Sequence, residues 1–165
     1  MRGKKTLCLA VLVCFCLVLL TGCSGVSKEV PQVLSDYLNH IDAGEYKEAY
    51  ALISDFDKGN IGEELFVKWQ EQSAKIAKPA GFTIDGKIDV FKDYKYLGTE
   101  FGNTFGLKVD RKQEKLIPQI ELTGYDAETF RIMVVKQTDG YRVLLLLTNL
   151  SETVATYEAY LKEYQ

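Results

Sequence analysis

Phe82-Thr83-Ile84-Asp85-Gly86-Lys87-Ile88-Asp89-Val90 decides the fold. Phe82, Ile84, Ile88 and Val90 alternate with Thr83, Asp85, Lys87 and Asp89, the two-residue period of a half-buried strand. Upstream the apolar period is helical. Val30, Val33, Leu34, Tyr37, Leu38 and Ile41 recur at steps of three and four, with Pro31 suited to a first turn and Gly44 to a left-handed cap. Tyr46, Ala49, Tyr50, Leu52 and Ile53 predict a second helix, antiparallel to the first across a short connection. Ser54 to Asn60 reads as a polar break. A third helix is predicted from about Gly62 to Ala77, with Leu65, Phe66, Trp69 and Ile76 inward, ended by Lys78-Pro79-Ala80-Gly81.

Downstream the period stays at two. Tyr94, Tyr96 and Leu97 extend the first strand after a bend. Phe105, Leu107 and Val109 mark a second strand, Ile120 and Leu122 a third, Phe130 to Gln137 a fourth and Tyr141 to Leu147 a fifth. Thr138-Asp139-Gly140 suits a hairpin turn with Asp-Gly at its centre. The continuous run Leu144 to Leu147 predicts a strand covered on both faces. A last helix is expected from Asn149 or Ser151 to about Tyr164, with Val154, Tyr157 and Leu161 on one face. Helices followed by antiparallel strands predict an α+β domain over residues 29–165, with helices on one face of a curved antiparallel sheet and a C-terminal helix.

The N-terminus carries a different signal. Arg2, Lys4 and Lys5 precede an uncharged run from Leu7 to Leu20. As a helix this run covers roughly 21 Å, short of the roughly 30 Å hydrocarbon core, so a processed leader fits better than a spanning helix. Leu20-Thr21-Gly22-Cys23 closes it. This resembles the lipobox of bacterial lipoproteins. The resemblance implies cleavage between Gly22 and Cys23, a signal peptide over residues 1–22, and diacylglycerol on the Cys23 thiol. Residues 23–28 then form a lipidated cysteine and a short tether. Two acyl chains give stable anchoring, so the expected location is the outer, extracytoplasmic face of the cell membrane.

Removal of residues 1–22 leaves 17 basic and 23 acidic residues, a net charge of −6. An acidic domain without a basic aromatic patch is a poor nucleic-acid binder. Cys8, Cys14 and Cys16 belong to the leader and Cys23 to the lipid site. No disulfide, thiol catalysis or cysteine metal site is therefore expected in the domain. One histidine and no EF-hand spacing argue against a metal centre, and nothing calls for another cofactor.

Asp36-Tyr37-Leu38-Asn39-His40-Ile41-Asp42-Ala43-Gly44-Glu45-Tyr46-Lys47-Glu48-Ala49-Tyr50-Ala51-Leu52-Ile53-Ser54 resembles the opening helical hairpin of nuclear-transport-factor-two-like domains. It is similar in particular to the small N-terminal domain of low-affinity penicillin-binding transpeptidases and related Gram-positive lipoproteins. Ile61-Gly62-Glu63-Glu64-Leu65-Phe66 resembles that family's third helix, and Asp139-Gly140-Tyr141-Arg142-Val143 its final hairpin. The resemblance implies a cone-shaped domain whose mouth can hold a small molecule. No transpeptidase domain follows, so no penicillin-binding activity carries over.

Some relatives resembling ketosteroid isomerase or scytalone dehydratase are enzymes that use carboxylates, histidines and tyrosines inside the cone. Here His40 lies off the apolar stripe and reads as a solvated or partly packed side chain rather than a general base. Asp85 and Asp89 share a strand face with Lys87, which reads as a solvent face. Glu45, Glu48, Asp55 and Asp57 read as a solvated helix face. Trp69, Tyr94, Tyr96 and Phe101 are the candidate ligand or partner contacts: aromatics line small-ligand sites, and they equally serve cores and protein contacts. Trp69 reads foremost as core, and Phe101-Gly102-Asn103-Thr104 has loop composition. The expected role is a non-enzymatic, membrane-tethered module that binds an envelope protein or a small ligand. The alternative is a cone-pocket enzyme of isomerase or dehydratase type.

Overall fold

The computed structural model describes residues 27–122 and 124–164. The leader and the Leu20–Cys23 motif lie outside the described residues. The first helix, α1, spans Glu29–Ala43 and buries Val30, Leu34, Tyr37, Leu38 and Ile41, the stripe its sequence period marks. Gly44, at φ 75°, closes it. The Gly44 N–H donates to the Ile41 carbonyl and the Glu45 N–H to that of His40, at 3.1 and 2.8 Å. This paired closure requires a left-handed residue, which glycine adopts without strain.

Helix α2 (Tyr46–Ala51) follows at once, shorter than expected because Ile53 leaves it for the sheet. The expected polar break is instead a short helix, α3 (Asp55–Asn60). Ser54 is its N-cap and accepts the Asp57 N–H at 3.1 Å. Helix α4 (Glu63–Ile76) buries Phe66, Trp69, Gln70 and Ile76. Strand β1 (Ala77–Tyr96) starts immediately after it. Lys78-Pro79-Ala80-Gly81 therefore ends the helix without forming a loop. β1 is an edge strand, where a proline removes no needed donor, and the register shift between Pro79 and Phe82 absorbs Gly81 at φ 107°.

Strands β2 (Thr99–Lys115), β3 (Thr129–Gln137) and β4 (Gly140–Leu144) complete an antiparallel sheet in the order β1-β2-β3-β4. Ile84 pairs with Val109, Val109 with Phe130, and Val134 with Val143. Ile53 adds a single parallel bridge to Val143, beyond the β4 edge. Leu107, Val109, Ile132, Val134, Val143 and Leu145 meet the stripes of α1 and α4 in one core. The opposite sheet face carries a second, smaller core of Met133, Val135 and Leu144. Leu144 faces this second core while Val143 and Leu145 face the main one, but β4 ends at Leu144, so the strand expected to run to Leu147 stops three residues short.

Three further expectations need correction. Ile120 and Leu122 form no strand: they lie in the irregular connection between β2 and β3. There the Leu116 and Ile117 N–H groups turn back to the Ile76 carbonyl, and Ile117 and Ile120 plug the core. Phe101 to Thr104 is not a loop but part of β2. In the last hairpin, Gln137 pairs with Gly140, and of Thr138, Asp139 and Gly140 only Gly140 has a positive φ, 127°. The turn is therefore centred one residue earlier than Asp-Gly. The closing helix, α5, spans Leu150–Tyr164 and packs against α4 through Val154, Tyr157 and Leu161.

Candidate functional site

A cleft of about 620 Å³ opens between α4, α5, the Gly124–Asp126 turn and the Leu146–Asn149 segment. Trp69 lines it from α4, Tyr157 and Tyr160 from α5, and Asp126 from the turn. Asp126 is buried. Ser73, one helical turn beyond Trp69, donates its hydroxyl to Asp126 Oδ1 at 3.1 Å. The Tyr157 hydroxyl donates to Oδ2. Gln113 Nε2 donates to the Asp126 backbone carbonyl at 2.8 Å. Burial pushes the carboxyl above its ordinary range, against the pull of the Tyr157 and Ser73 hydrogen bonds and of Arg111. Burial, then the neighbouring Asp126, pushes the Tyr157 phenol upward too. The Trp69 indole lies near enough to favour charge on Asp126, yet its Nε1–H is buried without an acceptor in hydrogen-bonding geometry.

The concave interior between α1 and the sheet is nearly filled. Two voids of about 10 Å³ each remain beside Arg111, one next to Ile41 and Tyr46 and one next to Tyr37 and Leu38. That is about the room of one water apiece. Arg111 crosses this region to donate to Asp42 Oδ1 at 3.0 Å.

The four aromatic candidates separate into two places. Trp69 belongs to the main core, edge-on to Phe66 at 5.8 Å. Tyr94, Tyr96 and Phe101 gather with Phe56 and Phe91 over the second core. Phe56 lies 5.2 Å from Phe101 and 6.2 Å from Tyr96, and Tyr94 lies 6.1 Å from Phe101. Gly106 makes this possible, since a Cβ there would sit 2.9 Å from the Phe91 ring. A groove of about 480 Å³ runs between Phe56, Phe101 and Val135.

His40 is partly exposed, its Nδ1 2.7 Å from Glu45 Oε2. Asp85 is exposed, and Asp89 pairs with Arg131 at 3.0 Å. Neither carboxylate borders the cleft. Asp57 overturns the reading of a solvated acidic face: it is fully buried. It accepts the Ser54 hydroxyl at 2.7 Å and the N–H groups of Leu145 and Leu147 at 2.8 and 2.9 Å. The Ser54-x-x-Asp57 spacing is a capping-box signature that could have marked it. Asp126 has no comparable local signal, because its partners come from β2, α4 and α5.

Among the described residues, no group of His, Cys, Asp and Glu could hold a metal ion, and no helix is long and apolar enough to cross a membrane. No known family model, curated protein or solved structure matches the chain.

Proposed function

We propose that this chain is a bacterial envelope lipoprotein, held at the extracytoplasmic membrane face by lipid on Cys23, whose domain is a non-catalytic binding module. The Leu20-Thr21-Gly22-Cys23 motif supports the anchoring. The binding role rests on one observation: an open cleft of about 620 Å³ beside a filled interior. Its volume falls within the roughly 300–1,000 Å³ of small-ligand sites. The Tyr94–Phe101 cluster is the second surface, available to an envelope protein along its groove.

The pairing of buried Asp126 with Tyr157 at the cleft favours a second reading, acid–base catalysis of the isomerase or dehydratase kind. Against it, each carboxylate oxygen already accepts a hydroxyl, and no histidine lines the cleft. The test follows processing and membrane attachment of the full chain in a bacterial host. Cys23→Ala and globomycin should each leave the leader uncut. The anchored form should co-purify with a stable ligand or partner and show no turnover of it. A Cys23→Ala chain that is still cut and still membrane-held would defeat the lipoprotein reading.

A further inference from the structure

The β1–β2 hairpin ends in a leucine that its turn disfavours. Leu97 sits at φ 47° and Gly98 at φ 80°, a geometry that Asn-Gly adopts readily and a leucine does not. Leu97 is also 72% exposed, the most exposed large hydrophobic side chain among the described residues. An exposed leucine alone is ordinary; one also held in a left-handed conformation points to something it meets outside the fold. The rungs that join Tyr94 to Gly102 and Tyr96 to Thr99 lie beyond Thr104, the last β2 residue to pair with β3. Phe56 of α3 braces them, edge-on to Tyr96 at 6.2 Å and to Phe101 at 5.2 Å. Around the tip the charges of Lys92, Asp93, Lys95 and Glu100 cancel, in a domain that is otherwise acidic. A leucine over tyrosines and beside lysines suits a lipid interface: the apolar tip enters, phenols sit at headgroup level and lysine stems reach back to water.

The tether leaves from the same end. Tyr37, Leu38 and Ile41, in the C-terminal half of α1, border a void with Arg111, Phe130 and Ile132. Those strand residues lie at the end of the sheet away from both hairpin turns. α1 also packs against β4, which pairs only with the turn-side half of β3, Met133 to Gln137. The N-terminus of α1 therefore faces the turns at Leu97-Gly98 and Thr138-Asp139. Ser27, just ahead of α1, follows Cys23 by four residues, a reach of at most about 14 Å. A domain tied that closely by lipid on Cys23 presents its turn end to the bilayer. From these features we propose that the β1–β2 tip is a second membrane contact, with Leu97 inserted into the lipid surface and the domain oriented between Leu97 and Cys23. This rests on the lipid-anchoring reading above. The same orientation turns the α4–α5 cleft away from the bilayer, because Asp126 is held by Gln113 at the far end of β2.

Thr99 is exposed beside the tip, and Glu114 is exposed at the far end of β2. Once the leader is removed and Cys23 acylated, a cysteine at either position is the only free thiol. The full lipidated chain carrying Thr99→Cys or Glu114→Cys is spin-labelled and reconstituted in phosphatidylcholine–phosphatidylglycerol vesicles. Collision with oxygen and with an aqueous nickel chelate reads the depth of the label. The Thr99 label is expected roughly 5–10 Å into the headgroup–acyl boundary, and the Glu114 label in water. Adding Leu97→Asn, which suits the turn, should return the Thr99 label to water. A Thr99 label in water on an acylated chain overturns the insertion and leaves the anchoring reading standing, as does a depth that Leu97→Asn leaves unchanged. A label shielded only when native membrane proteins are present overturns it in favour of a protein partner. Mass spectrometry that finds no acyl group on Cys23 defeats the anchoring reading and this orientation together.

Discussion

Asp57 Oδ1 accepts the backbone N–H of Leu147 at 2.9 Å, although ninety positions separate them. Its Oδ2 takes the Leu145 N–H. Between those two residues the chain passes through Leu146 at φ 57°, a left-handed conformation costly for a leucine. The carboxylate thus ends β4 by capturing the amides that would continue its ladder. It turns the chain toward α5 and one wall of the cleft.

Removing that acceptor should be severe. Asp57→Ala strands two buried amides and leaves Ser54 with one bond fewer, so a loss of about 2–4 kcal/mol is expected. Asp57→Asn keeps one acceptor oxygen and should lose less. Urea unfolding of both variants measures this, and equal losses would contradict the two-oxygen clamp.

The β1–β2 turn has the opposite defect. Leu97 and Gly98 both have positive φ, 47° and 80°, the type I′ geometry that favours Asn-Gly. Leu97 is also 72% exposed. Leu97→Asn should therefore stabilise the fold by about 0.5–1 kcal/mol, read as a higher melting temperature. A lower one would mean that the Leu97 side chain makes a stabilising contact.

How much of this was legible depends on how local each determinant is. The α1 stripe with its Gly44 cap, the change of period at Phe82 and the α5 face are repeated local signals, and the α+β architecture follows from them. The β-period at Ile120 and Leu122 misled because a buried and a half-buried apolar residue two apart also suit a loop that packs on a core. The Pro79–Gly81 breaker misled because an edge strand tolerates what a central one does not. At the candidate site only Trp69 was singled out in advance. Asp126, Ser73 and Gln113 are brought together by chain distances over which sequence period carries no information. Tyr94, Tyr96 and Phe101 do meet, because β1 and β2 are one hairpin.

Gly106 tests whether that aromatic meeting depends on a missing side chain. Gly106→Ala places a methyl against the Phe91 ring, Arg131 and Met133. Phe91 must shift off the sheet, at a cost of about 1–3 kcal/mol. Ring-proton NMR should show Phe91 and Tyr94 displaced while Trp69, in the other core, stays in place.

Asp126 gives the fold a pH dependence of unusual sign. Burial raises its carboxyl above the ordinary value of 3.8. Between that value and the raised one, the unfolded chain has lost the proton while the folded chain still holds it. Stability then falls as pH rises through this window, the reverse of a salt-bridged carboxylate. Asp57 is raised in the same direction, also by burial, and adds to the slope. Asp126→Asn cannot titrate, so it should lose the Asp126 share while keeping that of Asp57. The measurement is unfolding free energy of the two proteins from pH 4 upward, plotted as their difference. The advantage of the wild-type protein should be greatest at the acid end and shrink with rising pH. A difference that grew with pH would mean that the Ser73 and Tyr157 hydrogen bonds outweigh burial and hold Asp126 charged.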